Sequence, residues 1–264
     1  MEYSRREMLG LVAKTGLATL ALGQAPLASA LDSDQAAPPL LQEGAKTLKE
    51  LMAALARTPR RRDFKEVPMV LTSTDQWDDA ALRLLMQYRG KVKQVWDHTA
   101  LDGPWLNLMR NTLNTQIWAF KHPDFLVLSA THGPAHLALY DQTMWDKYQL
   151  GQFTDGKFKE NTLIKVGQAA HADPLNIQDE AGVYSPQDNS IPVLQARGVV
   201  FLGCHNAIFE LAHRLHQKDV NPDRLPVPQL VAELTNHLIP DVVLTPGIVG
   251  TIPELGFHGY QYAR

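Results

Sequence analysis

Apolar positions along this chain recur at two spacings, one helical and one extended. Leu41, Leu48, Leu51, Met52 and Leu55 fall near helical spacing and predict an N-terminal amphipathic helix. Residues 67–72 (Val-Pro-Met-Val-Leu-Thr) form a short apolar run that predicts a first buried strand. Ser73-Thr74-Asp75 then caps a helix carrying Trp77, Ala81, Leu84, Leu85 and Tyr88. Pro104 opens another helix, with Trp105, Leu108, Met109, Thr112, Leu113, Gln116 and Ile117 on one stripe. Residues 124–130 predict a second strand, which runs into Thr131-His132-Gly133-Pro134 and then a helix with Leu137 and Tyr140. Residues 146–190 lack a clear period and hold Asp173-Pro174 and Ser185-Pro186, the marks of an irregular insertion over one end of the sheet. A buried strand at 199–202 turns directly into an amphipathic helix at 205–215. Pro222, Pro226 and Pro228 lead into a helix at 229–238, the last strand is 241–245, and Pro246-Gly247 starts the closing segment.

Strands that alternate with helices predict an α/β fold in three layers, a mostly parallel sheet with helices on both faces. Helical and irregular insertions are expected at about 90–120 and 140–195. Three strands end in turns of small or polar residues: Thr131-His132-Gly133-Pro134, Gly203-Cys204-His205-Asn206 and Thr245-Pro246-Gly247. In a parallel sheet these ends share one edge, and on neighbouring strands the turns converge on one pocket.

The first thirty residues read as a targeting segment. Ser4-Arg5-Arg6-Glu7-Met8-Leu9 is a twin-arginine pattern, residues 9–22 are mildly apolar, and Ala28-Ser29-Ala30 supplies a small-residue cleavage site. The apolar run is shorter than the roughly 20 residues a bilayer span needs, so no stable membrane span is expected after cleavage. The prediction is twin-arginine export to the periplasm with cleavage after Ala30. Residues 31–65 then form a leader and the N-terminal helix, and 66–264 the α/β domain. The chain has 264 residues and a formal net charge of −3. An exported acidic protein is a poor match to nucleic acid. The one basic cluster, Arg57, Arg60, Arg61, Arg62 and Lys65, is interrupted by Pro59, Asp63 and Glu66 and reads as a solvated connector.

Cys204 is the only cysteine, so no disulfide can form within the chain. It falls at the end of a strand and the start of a helix, where the helix terminus favours thiolate over thiol. A free cysteine is also among the most buried residue types, so a packing role stands beside a reactive one. The ten histidines include His132-x-x-x-His136 and His213-x-x-His216. His213 and His216 fall on the solvent side of their helix and His132 falls in a turn, and no C-x-x-C, C-x-x-C-H or H-E-x-x-H occurs. No metal ligand set, haem or other cofactor is assigned. The five tryptophans at 77, 96, 105, 118 and 145 read first as core or subunit interface and second as pocket walls. Residues 247–250 lack phosphate-loop spacing, and Ser129 and Ser190 lack a nucleophile-elbow context. Asp78-Asp79 and Asp179-Glu180 read as a solvated helix face and a loop.

Four segments together resemble the DsrE/DsrF-like family of sulfur-relay proteins: residues 67–73, Ala130-Thr131-His132-Gly133-Pro134, residues 198–211 around Cys204-His205-Asn206, and residues 241–262. The last contains Pro246-Gly247 and then Glu254-Leu255-Gly256-Phe257-His258-Gly259-Tyr260-Gln261-Tyr262. The resemblance implies a compact α/β fold assembled into homo-oligomers, with Cys204 carrying sulfane sulfur as a persulfide. His205 and His132 would assist the thiol, while Gly133, Asn206, Pro246 and Gly247 would line the pocket. Partners would be a sulfur donor and a sulfur acceptor protein. The chain departs from sulfur-relay members in being exported, in being larger and in having a single cysteine, which leaves no resolving thiol within a subunit. The alternative is a non-catalytic module that holds a small molecule, a metal or a partner in the same strand-edge pocket.

Overall fold

The computed structural model describes residue 37 and residues 39–264; the expected signal at residues 1–30 lies outside them. Five strands form one all-parallel sheet in the order β4-β3-β2-β1-β5. They are β1 (Lys93–His98), β2 (Leu126–Thr131), β3 (Val200–Cys204), β4 (Val243–Thr245) and β5 (Gln261–Ala263). Eight α-helices are described: α1 (Lys46–Arg57), α2 (Asp79–Met86), α3 (Trp105–Asn114), α4 (Gln142–Lys147), α5 (Ile191–Ala196), α6 (His205–Gln217), α7 (Val227–Asn236) and α8 (Ile248–Phe257). None is long and apolar enough to cross a membrane among the described residues.

The alternation of side chains along each strand divides the core into two apolar layers. Val127, Phe201 and Leu244 face one layer, built with Met109, Leu113, Trp145, Ile208, Leu211 and Leu234 from α3, α4, α6 and α7. Leu126, Leu128, Val200, Leu202 and Val243 face the other, against Leu48, Leu51 and Leu55 of α1, Leu82 and Leu85 of α2, and Leu255 of α8. Each such side chain, fully buried, contributes about 1.5–3 kcal/mol. Helices on both faces of a parallel sheet satisfy the apolar strands on both sides, as the sequence predicts.

Connection handedness fixes which helix lies on which face. The chain steps from β1 to β2, β3 and β4 in one direction, and right-handed crossovers place the intervening helices on one face. The step from β4 to β5 runs back past β1, so the same handedness places α8 on the opposite face. At the carboxyl ends of the adjacent strands β3 and β4, the chain therefore leaves for opposite faces. That divergence opens a crevice, the usual position of ligands in open α/β sheets.

Two strand expectations need correction. Residues 67–72 are not a strand: Pro68 has no N–H to give a ladder, Val67 instead donates to the Pro228 carbonyl, and Met69 and Val70 are exposed. The first strand is Lys93–His98, inside the stretch expected to be an insertion, and it pairs with both β2 and β5. The segment after His132 forms a 3-10 turn over Gly133–Leu139. Residues 150–190 are, as expected, a succession of short turns.

The basic connector is also more than a solvated loop. Arg62 reaches the buried Asp78 with two hydrogen bonds of 3.2 and 3.0 Å and donates to the Val242 carbonyl. Asp78 Oδ2 in turn accepts the Leu244 N–H at 2.7 Å. Asp78, expected on a solvated helix face, thus pins the connector to β4 because a buried carboxylate has to be matched by donors.

Candidate functional site at the sheet edge

The three turns expected to converge do lie on neighbouring strands, since β2, β3 and β4 are adjacent. Cys204 is paired with Thr245 in the β3–β4 register and forms the N-cap of α6. Its side chain points to the α2/α8 face and is 4% exposed. The Ile248 N–H, first in α8, donates to Cys204 Sγ at 3.4 Å. Burial pushes the thiol pKa up, and the backbone N–H groups of Ile248, Ala207 and Asn206 only partly oppose it. The expected thiolate-favouring helix terminus is present but is outweighed by desolvation.

Asn206, Pro246 and Gly247, which follow Cys204 and its register partner Thr245 in the chain, line an open cavity of about 630 Å³. Its other walls come from α2 and the turn before it (Trp77, Leu82, Arg83, Met86) and from α8 (Gly250, Thr251, Glu254). A Cβ on Gly247 would lie 2.8 Å from Asn206 Nδ2, so glycine at 247 is what admits the Asn206 side chain. Thr251 fixes the first turn of α8 by donating to the Gly247 carbonyl at 2.8 Å. Arg83 is held by Asp79 one turn earlier at 2.7 Å. The cavity therefore combines an apolar wall with a few positioned polar groups, the usual make-up of a small-molecule site.

The two histidines expected beside the thiol do not reach it. His205 is buried with Nε2 3.0 Å from the Met69 carbonyl oxygen, and neither imidazole hydrogen-bonds Cys204 Sγ. His132 lies at the end of β2 with Nε2 2.7 Å from Asp97 Oδ1 of β1. Gly133 has φ +54 and a Cβ there would lie 3.4 Å from the Thr99 carbonyl oxygen, so it serves the turn and not the cavity. The seven expected site residues thus divide. Cys204, Asn206, Pro246 and Gly247 come together at the β3–β4 crevice, while His132 and Gly133 belong to a second cluster over β1 and β2 and His205 packs against the 69 loop.

That second cluster holds residues the sequence pattern did not single out. Asp97 accepts from Tyr262 Oη at 2.8 Å as well as contacting His132. Burial alone would raise the Asp97 pKa, but the hydrogen bonds from His132 and Tyr262 and the charges of His132 and Arg264 hold it below the usual range. Next to it, His98 Nδ1 lies 2.9 Å from Ser129 Oγ, and burial lowers the His98 pKa to about 4. Deeper still, His136 packs against Gly203 with both ring nitrogens unpartnered, and burial lowers its pKa to about 3. Both imidazoles are neutral at pH 7. Trp77, also outside the expected site, was signalled only as one of five tryptophans. Trp105 and Trp145 are core residues. His213 and His216 are exposed on α6, and no group of three or more His, Cys, Asp or Glu among the described residues is placed to hold a metal.

A protein with a five-stranded parallel sheet and a cavity at its topological switch point belongs to the broad class of open α/β proteins. No family model, curated protein or solved structure matches the chain.

Proposed function

We propose that this protein is a non-catalytic binding module that holds a small organic molecule in the β3–β4 crevice. The observation that carries this reading is the 630 Å³ cavity lined by Trp77, Leu82, Met86 and Pro246 with the exposed Asn206 amide at one end. The apolar wall matches a ligand with a ring or short aliphatic body, and Asn206 offers a donor and an acceptor to a polar substituent. Cys204 is a packing residue of the core on the same face of the sheet. Residence in the periplasm, membership of the DsrE-like group and assembly as a homo-oligomer are parts of the same proposal, motivated by the signal pattern and the four resembling segments.

Native mass spectrometry of the protein recovered from the exporting compartment tests the reading. A non-covalent mass should survive Cys204→Ser and disappear in Trp77→Ala and Asn206→Ala. Loss of that mass in Cys204→Ser alone would contradict it.

One observation favours a second reading, sulfur carriage. Cys204 Sγ accepts the Ile248 N–H, and the backbone N–H groups of Ala207 and Asn206 also favour its charged form, a setting able to receive a negatively charged sulfur. Cys204 thiolate would attack the outer sulfur of a donor persulfide R–S–SH, forming Cys204–S–SH as the donor S–S bond breaks and R–S⁻ leaves. This reading requires the thiol to become exposed, and it expects Cys204→Ser to abolish sulfur loading while leaving the fold intact.

A further inference from the structure

A second cavity, of about 380 Å³, lies on the other face of the sheet, where the N-terminus of α3 meets the turn before α5. Both elements end there for a topological reason. Helix α3 leaves the carboxyl end of β1, and α5 runs back toward the start of β3, so both helix N-termini lie at the same edge as the carboxyl ends of the strands. Trp105, Leu106 and Asn107 are the first three residues of the ten-residue α3. Their N–H groups precede the first helical bond, which Leu108 makes to the Pro104 carbonyl, and no side chain caps them.

The cavity carries a separate signal of its own. Ser190 lines it, is 6% exposed, and its Oγ has no hydrogen-bond partner; the neighbouring Asn189 Oδ1 is buried and unpartnered as well. A buried polar atom without a partner costs about 1–3 kcal/mol, so the Ser190 hydroxyl, which can donate, marks a place where an acceptor group of a ligand fits. Asn189 Oδ1 is itself an acceptor and adds nothing to that signal. Cations and acids are balanced around it, two of each, and differ in how they are engaged. Lys165 lines the cavity, paired only with the exposed Glu160. Buried Arg110 is hydrogen-bonded to the lining Asn107 at 2.8 and 3.2 Å and forms no ion pair with a carboxylate among the described residues. The one acid in the wall, Asp188, is already engaged, accepting the Gly167 N–H through Oδ2 and the Ser190 N–H through Oδ1.

We infer that this cavity binds the carboxylate of a small organic acid. The head would accept hydrogen bonds from the first N–H groups of α3 and from Ser190 once its side chain turns into the cavity, with Lys165 supplying charge. Pro104, Trp105, Leu106 and Leu163 form the apolar side of the same cavity and would take a short aliphatic tail. The site is independent of the β3–β4 crevice, since the two lie on opposite faces of the sheet.

The test is titration of the ¹⁵N-labelled full chain with hexanoate and, separately, with inorganic phosphate, following the backbone amides. The expected result is saturable hexanoate shifts centred on Trp105, Leu106 and Asn107, weakened about tenfold by Ser190→Ala. Lys165→Gln, at an exposed position, should weaken them about threefold and serves as the variant least able to disturb folding. Trp77→Ala, in the other cavity, should leave them unchanged. Shifts that fail to saturate with hexanoate overturn the inference. So does phosphate binding as tightly as hexanoate, or binding that is indifferent to both Ser190→Ala and Lys165→Gln.

Discussion

At the scale of single residues, the molecule sets a helix terminus against burial, and burial wins. Cys204 has the position expected of a reactive thiol, yet it is buried, does not line the cavity and has its pKa pushed up. Iodoacetamide should therefore modify Cys204 slowly in the native protein and fully after denaturation; rapid native labelling would contradict the buried thiol. His136 and His98 give a second residue-scale prediction. Both are neutral in the fold, with pKa values lowered to about 3 and about 4, whereas in the unfolded chain they titrate near 6.5. As pH falls below about 6.5 the unfolded state takes up protons that the folded state refuses, so their stabilisation is full above that pH and is lost on acidification. Each should contribute a slope of about 1.4 kcal/mol per pH unit between roughly pH 6 and pH 4. Denaturant unfolding across that range measures it, and His136→Leu should flatten the slope; an unchanged slope would show that His136 does not titrate this way.

Among the elements, the segments with clean patterns were legible and those with mixed patterns were not. The apolar starts of β2 and β3, and the amphipathic α1, α3, α6 and α7, follow from pattern alone. Strand β1 escaped because Lys93, Gln94, Asp97 and His98 break the apolar run, and only Val95 and His98 of its six residues are buried. The apparent strand at 67–72 misled because apolar content was present without the N–H pattern a strand needs. The candidate site was legible where it depends on chain order, as in Cys204, Asn206, Pro246 and Gly247. It was not legible where it depends on pairing across the sheet, as in Asp97 with His132 and Tyr262. The Arg62–Asp78 link is a contact of the same long-range kind. Asp78→Asn should cost about 3–5 kcal/mol, because it leaves Arg62 without its buried counter-charge. Chemical denaturation reads this directly, and a loss below about 1 kcal/mol would mean that solvent already shields the pair.

The whole molecule is a parallel sheet that uses both faces at one edge. Its reversal between β4 and β5 sends α6 and α8 to opposite sides and opens the β3–β4 crevice, while the α3 and α5 termini leave a second cavity across the sheet. Binding in one cavity should be insensitive to substitutions in the other, since no lining residue is shared. The central claim is that the crevice holds a ligand non-covalently over an unmodified Cys204. A mass spectrum of the protein recovered from the cells that make it, taken native and then denatured, with and without reductant, tests it most directly. The account predicts an extra mass in the native spectrum alone and an unmodified thiol after denaturation. An added sulfur that maps to Cys204, survives denaturation and is removed by reductant would contradict the account and make the protein a sulfur carrier.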